Sequence, residues 1–180
     1  MRLINILKSG FNIIHYFRYG GVSYARKIGV TVGERCRIHT RNFGSEPFLI
    51  KLGNDILIAP GVNFITHDGA GIVTHDDKGR RYYYAPIYVG NNVMIGLNSI
   101  ILAGVKIDDN VIIAAGSVVT HSIPANSIVG GVPARIIGNY TDFKARALNH
   151  WPSEREMDYN IPFEERIRKI VDNNFKPYIK

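Results

Sequence analysis

The chain has 180 residues, enough for one domain with terminal extensions and for a sizeable buried core. Hydrophobic residues make up 46% and charged residues 21%, which excludes wholesale disorder, while a net charge of +7 and a pI near 9.6 invite an anionic partner. Lysine and arginine are scattered without a dense basic run, so nucleic acid is not the expected partner; a phosphate-rich small molecule or an anionic membrane face suits the charge.

Residues 1–28 come first. Leu3, Ile6, Leu7, Ile14 and Phe17 recur at helical spacing among Arg and Lys, as in an amphipathic helix. Such a helix either caps the open end of the fold behind it or lies on a membrane surface, where it would make a peripheral contact. The opening "MRLINILKSGFNII" lacks the continuous apolar stretch and small-residue cleavage site of a signal peptide. No run approaches the roughly 18 apolar residues of a membrane span. The lone Cys36 allows no internal disulfide and is expected to be a packed thiol. A cytoplasmic location is expected, with the inner face of the membrane open to the chain through its first helix.

The next segment is dominated by a period of six. From Val89 an aliphatic residue recurs at Ile95, Ile101, Ile107, Ile113 and Val119, and a second small or aliphatic series follows at Val93, Ser99, Val105, Val111, Ser117 and Ile123. Between them stand Asn92, Asn98, Gly104, Asn110, Gly116 and Ser122. All but the serine readily accept positive φ and so suit a sharp corner. A short strand and a corner, repeated, make a solenoid in which three hexads close one coil and each coil covers its neighbour's core. Leu52, Ile58 and Phe64 continue the spacing upstream, with Asp55 and Gly61 at corners. Val32 and Ile38 read as an earlier, shifted piece beyond "RNFGSEPF", and "IVGGVPARIIG" (128–138) reads as a last coil. The segmentation is therefore a helical cap over 1–28, the solenoid over 29–138, and a helical tail over 139–180.

One stretch interrupts the repeat. "FITHDGAGIVTHDDKGRRYYYAPIYVG" holds Thr-His-Asp twice, but the two copies differ in phase. Counted from Phe64, His67 falls on a corner at the mouth of an excursion over residues 68–86. His75 lies inside the excursion, amid the exposed-turn composition of Asp76 to Arg81. A residue on the rigid scaffold can hold hydrogen-bond distance to a hydroxyl, and an imidazole, which ordinarily titrates near 6.5, can accept its proton at neutral pH.

"IGLNSIILAGVKIDDNVIIAAGSVVTHSIPANSIVGGVPARII" resembles the hexapeptide-repeat acyltransferases, and within them the sugar, polysaccharide and xenobiotic O-acetyltransferases, over residues 29–138. The "GGVPAR" motif and the long loop after a histidine are shared features. The resemblance implies a left-handed parallel β-helix, mainly β with helical ends, that forms homotrimers with active sites between subunits. It implies acetyl-CoA as acyl donor and a small saccharide acceptor; the scattered charge gives no expectation of nucleic acid, and the histidine spacing none of a metal. Only His67 matches the family's catalytic base, which takes the proton of the attacking hydroxyl in a direct transfer. By the same match a backbone N–H near Gly96 and Leu97 supports the oxyanion, and Gly96, Leu97, Ala115, Thr120 and Arg135 are the acetyl-CoA contacts. Met94 and His121 depart from the aromatic and the lysine common at those places. Asn42, Glu46, Tyr83 and Tyr84 are candidate acceptor contacts.

The histidines, at 15, 39, 67, 75, 121 and 150, lack the close pairing of the zinc-dependent carbonic anhydrases that share this repeat. The resulting expectation is O-acetylation of a sugar hydroxyl of a surface-polysaccharide precursor. N-acetylation of an amino sugar, acetylation of an antibiotic, and a non-catalytic assembly protein are the alternatives.

Overall fold

A computed structural model describes residues 2–178, with side chains from Phe11 onward. The side chains of Leu3, Ile6 and Leu7 lie outside the described residues. The chain divides into two compact units, Met1–Thr141 and Asp142–Lys180.

The first unit contains three parallel sheets that the chain visits in rotation. One holds Thr31–Val32, Ile50–Leu52, Ile87–Val89 and Lys106–Ile107. The next holds Arg37–Ile38, Ile56–Ile58, Val93–Ile95, Val111–Ile113 and Ser127–Gly131, and the third holds Asn63–Phe64, Ile100–Ile101 and Val118–Val119. Val93 pairs with Val111 and Ile95 with Ile113. The same period brings Asn92 Nδ2 to Asn110 Oδ1 at 2.7 Å, across a separation of 18 residues. Strands of two or three residues are stable here because every coil finds its backbone partners in the coils above and below it.

The two inward series form the core. Ile95, Ile101, Ile107 and Ile113 are fully buried, and Ser99 and Ser117 are buried beside them. Both serine hydroxyls donate to Ala114 O, at 3.1 and 2.6 Å, so neither is left unsatisfied. The corners turn through positive φ at Asp55, Asn92, Asn98 and Asn110 and at Gly61, Gly104 and Gly116. Ser122 does not. Its Oγ instead accepts the Lys106 N–H at 3.0 Å. Along another corner the N–H groups of Glu34, Asn54 and Asn91 donate to Asn54 Oδ1, Asn91 Oδ1 and Asp109 Oδ1 at 2.8, 2.9 and 2.7 Å. Glycine is required at position 53, where a Cβ would sit 2.6 Å from Gly90 O.

The start and end of the stack differ from a plain repeat. The piece around Val32 and Ile38 is a whole first turn, since Thr31 pairs with Lys51, Arg37 with Leu57, and Asn42 bridges to Asn63. Its shifted look comes from spacing: Arg35 and Asp55, on successive turns, are 20 residues apart rather than 18. Phe43 then stacks on Phe64 with ring centroids 5.3 Å apart, filling the third inward place. At the other end, Ser127–Gly131 is followed not by another coil but by an antiparallel return over Ala134–Asn139. That return covers the outer edge of Ser127–Gly131.

A helix over Arg2–Ile28 is kinked at Gly20. Beyond the kink Ala25 is fully buried, and a Cβ on Gly21 would lie 1.9 Å from Ile38 O, so this part covers the first turn closely. Phe11, Ile14, Phe17 and Tyr19, before the kink, are exposed. Among the described residues no helix is long and apolar enough to cross a membrane. In the second unit a helix spans Phe163–Ile170, with Arg168 and Lys169 each one turn after a glutamate, at Glu164 and Glu165. A helix over Tyr140–His150 leads into that unit.

Ile95 sits mid-stack with neighbours in the turns on both sides. Ile95→Ala is expected to cost roughly 2–5 kcal/mol, read as a lower denaturant midpoint in equilibrium unfolding.

Candidate active site

The repeat breaks at the corner after Phe64. Thr66 is fully buried and its carbonyl accepts the Ala85 N–H at 2.9 Å, closing the base of the loop. Between them His67–Asp68 pairs antiparallel with Tyr83–Tyr84, so the excursion spans 67–84 rather than 68–86. His67 is extended and is not a left-handed corner, because the chain leaves the coil at this residue instead of turning.

The loop has its own fixed structure. Asp68 Oδ1 accepts the Ala70 N–H at 2.8 Å and starts a short turn over Gly69–Val73. Gly71 approaches so closely that a Cβ there would meet Arg81 O at 2.0 Å. Further out, His75–Asp76 pairs with Gly79–Arg80, and the Arg81 guanidinium bonds the Asp76 carboxylate. His75 is exposed on this outer hairpin, away from the cavities that His67 lines.

His67 Nδ1 lies 2.9 Å from Glu46 Oε2, and Thr66 Oγ1 donates to the same oxygen at 2.7 Å. The Thr66 hydroxyl bond, with His67 adding to it and partial burial opposing, holds the Glu46 carboxyl below its ordinary value of 4.5. An ionised carboxylate only accepts hydrogen bonds, so in the neutral imidazole the proton sits on Nδ1 and the lone pair on Nε2. The Glu46 side chain is 17% exposed and that of His67 40%, so the carboxylate is shielded while the ring remains accessible.

His67 lines two adjoining cavities. One, of about 370 Å³, has Glu46, Asp68, Arg80, Arg81 and Tyr82–Tyr84 on its walls. The other, of about 400 Å³, is lined by Asp68, Tyr83, Leu102, Ala103 and Thr120. Thr120 also borders a smaller cavity of about 180 Å³ that includes Ala134 and Arg135. Tyr84 faces the His67 ring at 5.8 Å between centroids, and Tyr83 reaches Gly104 on the next coil. Among the described residues no group of three or more His, Cys, Asp and Glu side chains converges as a metal site.

Residues 86–121 match the family model of the hexapeptide repeat of succinyl-transferase. The galactoside O-acetyltransferase of Escherichia coli is 40% identical over 97 residues, covering 54% of this chain and 47% of that protein. A crystal structure of galactoside acetyltransferase in complex with coenzyme A superposes with a TM-score of 0.58 at 27% identity, over 82% of this chain and 85% of that one. Protein CapG of Staphylococcus aureus is 40% identical over 153 residues, 83% of this chain and 89% of that protein. The chain belongs to the hexapeptide-repeat acetyltransferases.

In this acetyltransferase the residues singled out from sequence fall into two groups. His67, Glu46, Tyr83, Tyr84 and Thr120 gather around the cavities at one corner of the stack, with Arg135 one cavity further on. Gly96, Leu97 and Ala115 share a different corner, where a Cβ on Gly96 would sit 2.5 Å from Ala115 N. None of these three lines the cavities at His67. The Gly96 N–H is already donated to Ile113 O at 2.8 Å and cannot also serve an oxyanion, which leaves Leu97 as the candidate donor. Asn42 lines neither cavity; its carbonyl accepts from Phe64 N–H in the coil. Glu46 touches the imidazole itself. Thr66 and Arg80 escaped sequence reading: the period assigns Thr66 no role in a site, and Arg80 lies in a stretch that reads only as an exposed turn.

Glu46→Gln is expected to weaken the fold most above pH 4.5, where the wild-type carboxylate is charged. The gap between the two unfolding curves should narrow as the pH falls through the depressed value, because protonation then removes the same charge from the wild type. Unfolding midpoints across pH 3 to 7 check the sign. Gly71→Ala should lower turnover by disturbing the loop while leaving the cooperative unfolding of the coils within about 1 kcal/mol of wild type.

Proposed function

We infer that the protein is an acetyl-CoA-dependent O-acetyltransferase of a sugar hydroxyl, a left-handed β-helix that works as a homotrimer, with His67 as general base. The observation that carries this reading is the Thr66–Glu46–His67 chain of hydrogen bonds. It fixes the tautomer with Nε2 open, and it aims the ring from the rim of a rigid stack into two cavities. Imidazole backed by a carboxylate suits a hydroxyl acceptor, whose proton must leave as the new bond forms.

The residues present fit the acyl donor. From His67 the wall runs past Ala103 and Thr120 to Ala134 and Arg135, small side chains ending at a guanidinium without a carboxylate partner among the described residues. Such a path suits an extended arm that ends in phosphate. Acetyl-CoA supplies the acetyl group as a thioester. His67 Nε2 takes the acceptor proton as the hydroxyl oxygen bonds the thioester carbon, the C–S bond breaks, and the sulfur of CoA leaves with that proton; Glu46 holds Nδ1 and offsets the imidazolium charge, and Thr66 holds Glu46. The separate corner at Leu97 and Ala115 is explained if it faces His67 of a neighbouring subunit, so that each site takes walls from two chains. The acetylated sugar is proposed to be a precursor of a surface polysaccharide, in line with the sugar acceptor in the name of the galactoside enzyme.

His67→Ala should lower CoA release by about 10²–10⁴ with unfolding unchanged; near-normal turnover would remove the base from the scheme. Turnover should persist after dialysis against a chelator, and a rate that falls and returns with zinc would require a metal in its place.

A further inference from the structure

The cavity on the Glu46 side of His67 carries a cation that the transfer mechanism leaves unused. Arg80 and Arg81 both line it, but their situations differ. Arg81 is neutralised by Asp76 and also caps Gly79 O. Arg80 makes no ion pair and no side-chain hydrogen bond among the described residues; its guanidinium lies 4.1 Å over the ring of Tyr82. Tyr82 in turn stacks on Tyr84 at an interplanar angle of 9°, and Tyr84 tilts against His67. Arg80, Tyr82, Tyr84 and His67 thus form a ladder along one wall, with the unpaired cation at one end and the base at the other.

Neither carboxylate on the same wall pairs with Arg80 among the described residues. Glu46 is engaged by Thr66 and His67, and Asp68 Oδ1 holds the Ala70 N–H. Stacking leaves the edge of a guanidinium open, and that edge is a planar fork matched to two anionic oxygens. The faces of Tyr82 and Tyr84 are taken up within the ladder, so an acceptor lying along its open edge would bring a hydroxyl to His67 and a substituent to Arg80.

We propose that Arg80 reads an anionic oxygen group on the acceptor, so that the preferred substrate is a charged saccharide bearing a phosphate or a carboxylate. This rests on the acetyl-transfer reading of His67 and specifies its acceptor class. The chemistry shared by the two groups is a pair of coplanar anionic oxygens, and separate arms of the test distinguish them.

The experiment measures CoA release by the full chain with matched sets of glucose, galactose and mannose derivatives: the neutral methyl glycoside, the glycosyl phosphate and the uronate. The expected result is a KM about ten- to a hundred-fold lower for at least one charged form than for its neutral partner. Arg80→Ala should abolish that preference by raising KM for the charged form, with kcat and the KM for acetyl-CoA unchanged, and Arg80→Lys should restore part of it. Which form benefits identifies phosphate or carboxylate as the group. Equal use of charged and neutral sugars overturns the proposal, as does an Arg80→Ala effect confined to acetyl-CoA. If no sugar releases CoA, the transfer reading fails separately, and calorimetry then decides the subsite. Glycosyl phosphate or uronate that binds the wild type and His67→Ala but not Arg80→Ala sustains it, and absence of binding to all three refutes it.

Discussion

Each turn of the stack is held to the next by backbone hydrogen bonds between parallel strands of two or three residues. Such strands cannot stand alone. The Ile113 carbonyl accepts the Gly96 N–H one turn away, and Ile95 lies against Ile58 and Ile113 in register on either side. Because the bonds run between turns, the chain must bend at the same three places in every turn, and asparagine, aspartate and glycine meet that need through positive φ. The inward residues then superimpose without further specification. An error in the length of any hexad would move an aliphatic into a corner, so the period itself is the constraint on which the fold depends.

This regularity gives the site its rigidity. The chain departs from the stack at His67, immediately after the fully buried Thr66, and rejoins it at Ala85, with Thr66 and Ala85 bonded to each other. His67 therefore stands one residue from an anchored backbone. Glu46 reaches it from the irregular segment of the first turn, and the lengthening that obscures the period there is what delivers the carboxylate. Both departures from the repeat converge on the same imidazole.

The loop adds definition rather than mobility to the site. Gly71 brings its backbone against Arg81, and the ion pair of Arg81 with Asp76 ties the outer hairpin together. These contacts fix the tyrosines as a wall beside His67. A general base gains from such a wall because proton transfer depends on the position of the acceptor hydroxyl as much as on basicity. The corner at Leu97 and Ala115 lies apart from this cavity.

The sequence by itself determined the repeat and the phase of its residues. Period six, with aliphatics at Ile95 and Ile101 and corners at Asn92 and Asn98, is a local requirement repeated many times, and local requirements are written into successive residues. The distinct status of His67 and His75 was legible for the same reason, since one is in phase with the coils and the other is not. Only the tertiary structure decided what Glu46 does, because its contact with His67 joins residues 21 apart across two irregular segments that no period links. It likewise decided that the Gly96 N–H is spent on Ile113, that the last repeat folds back as a hairpin, and that among the described residues Arg80 has no ion-pair partner while Arg81 is neutralised. Hydrogen-bond partners and ion pairs are settled by which side chains meet in space, and outside the repeat the order of residues does not state that.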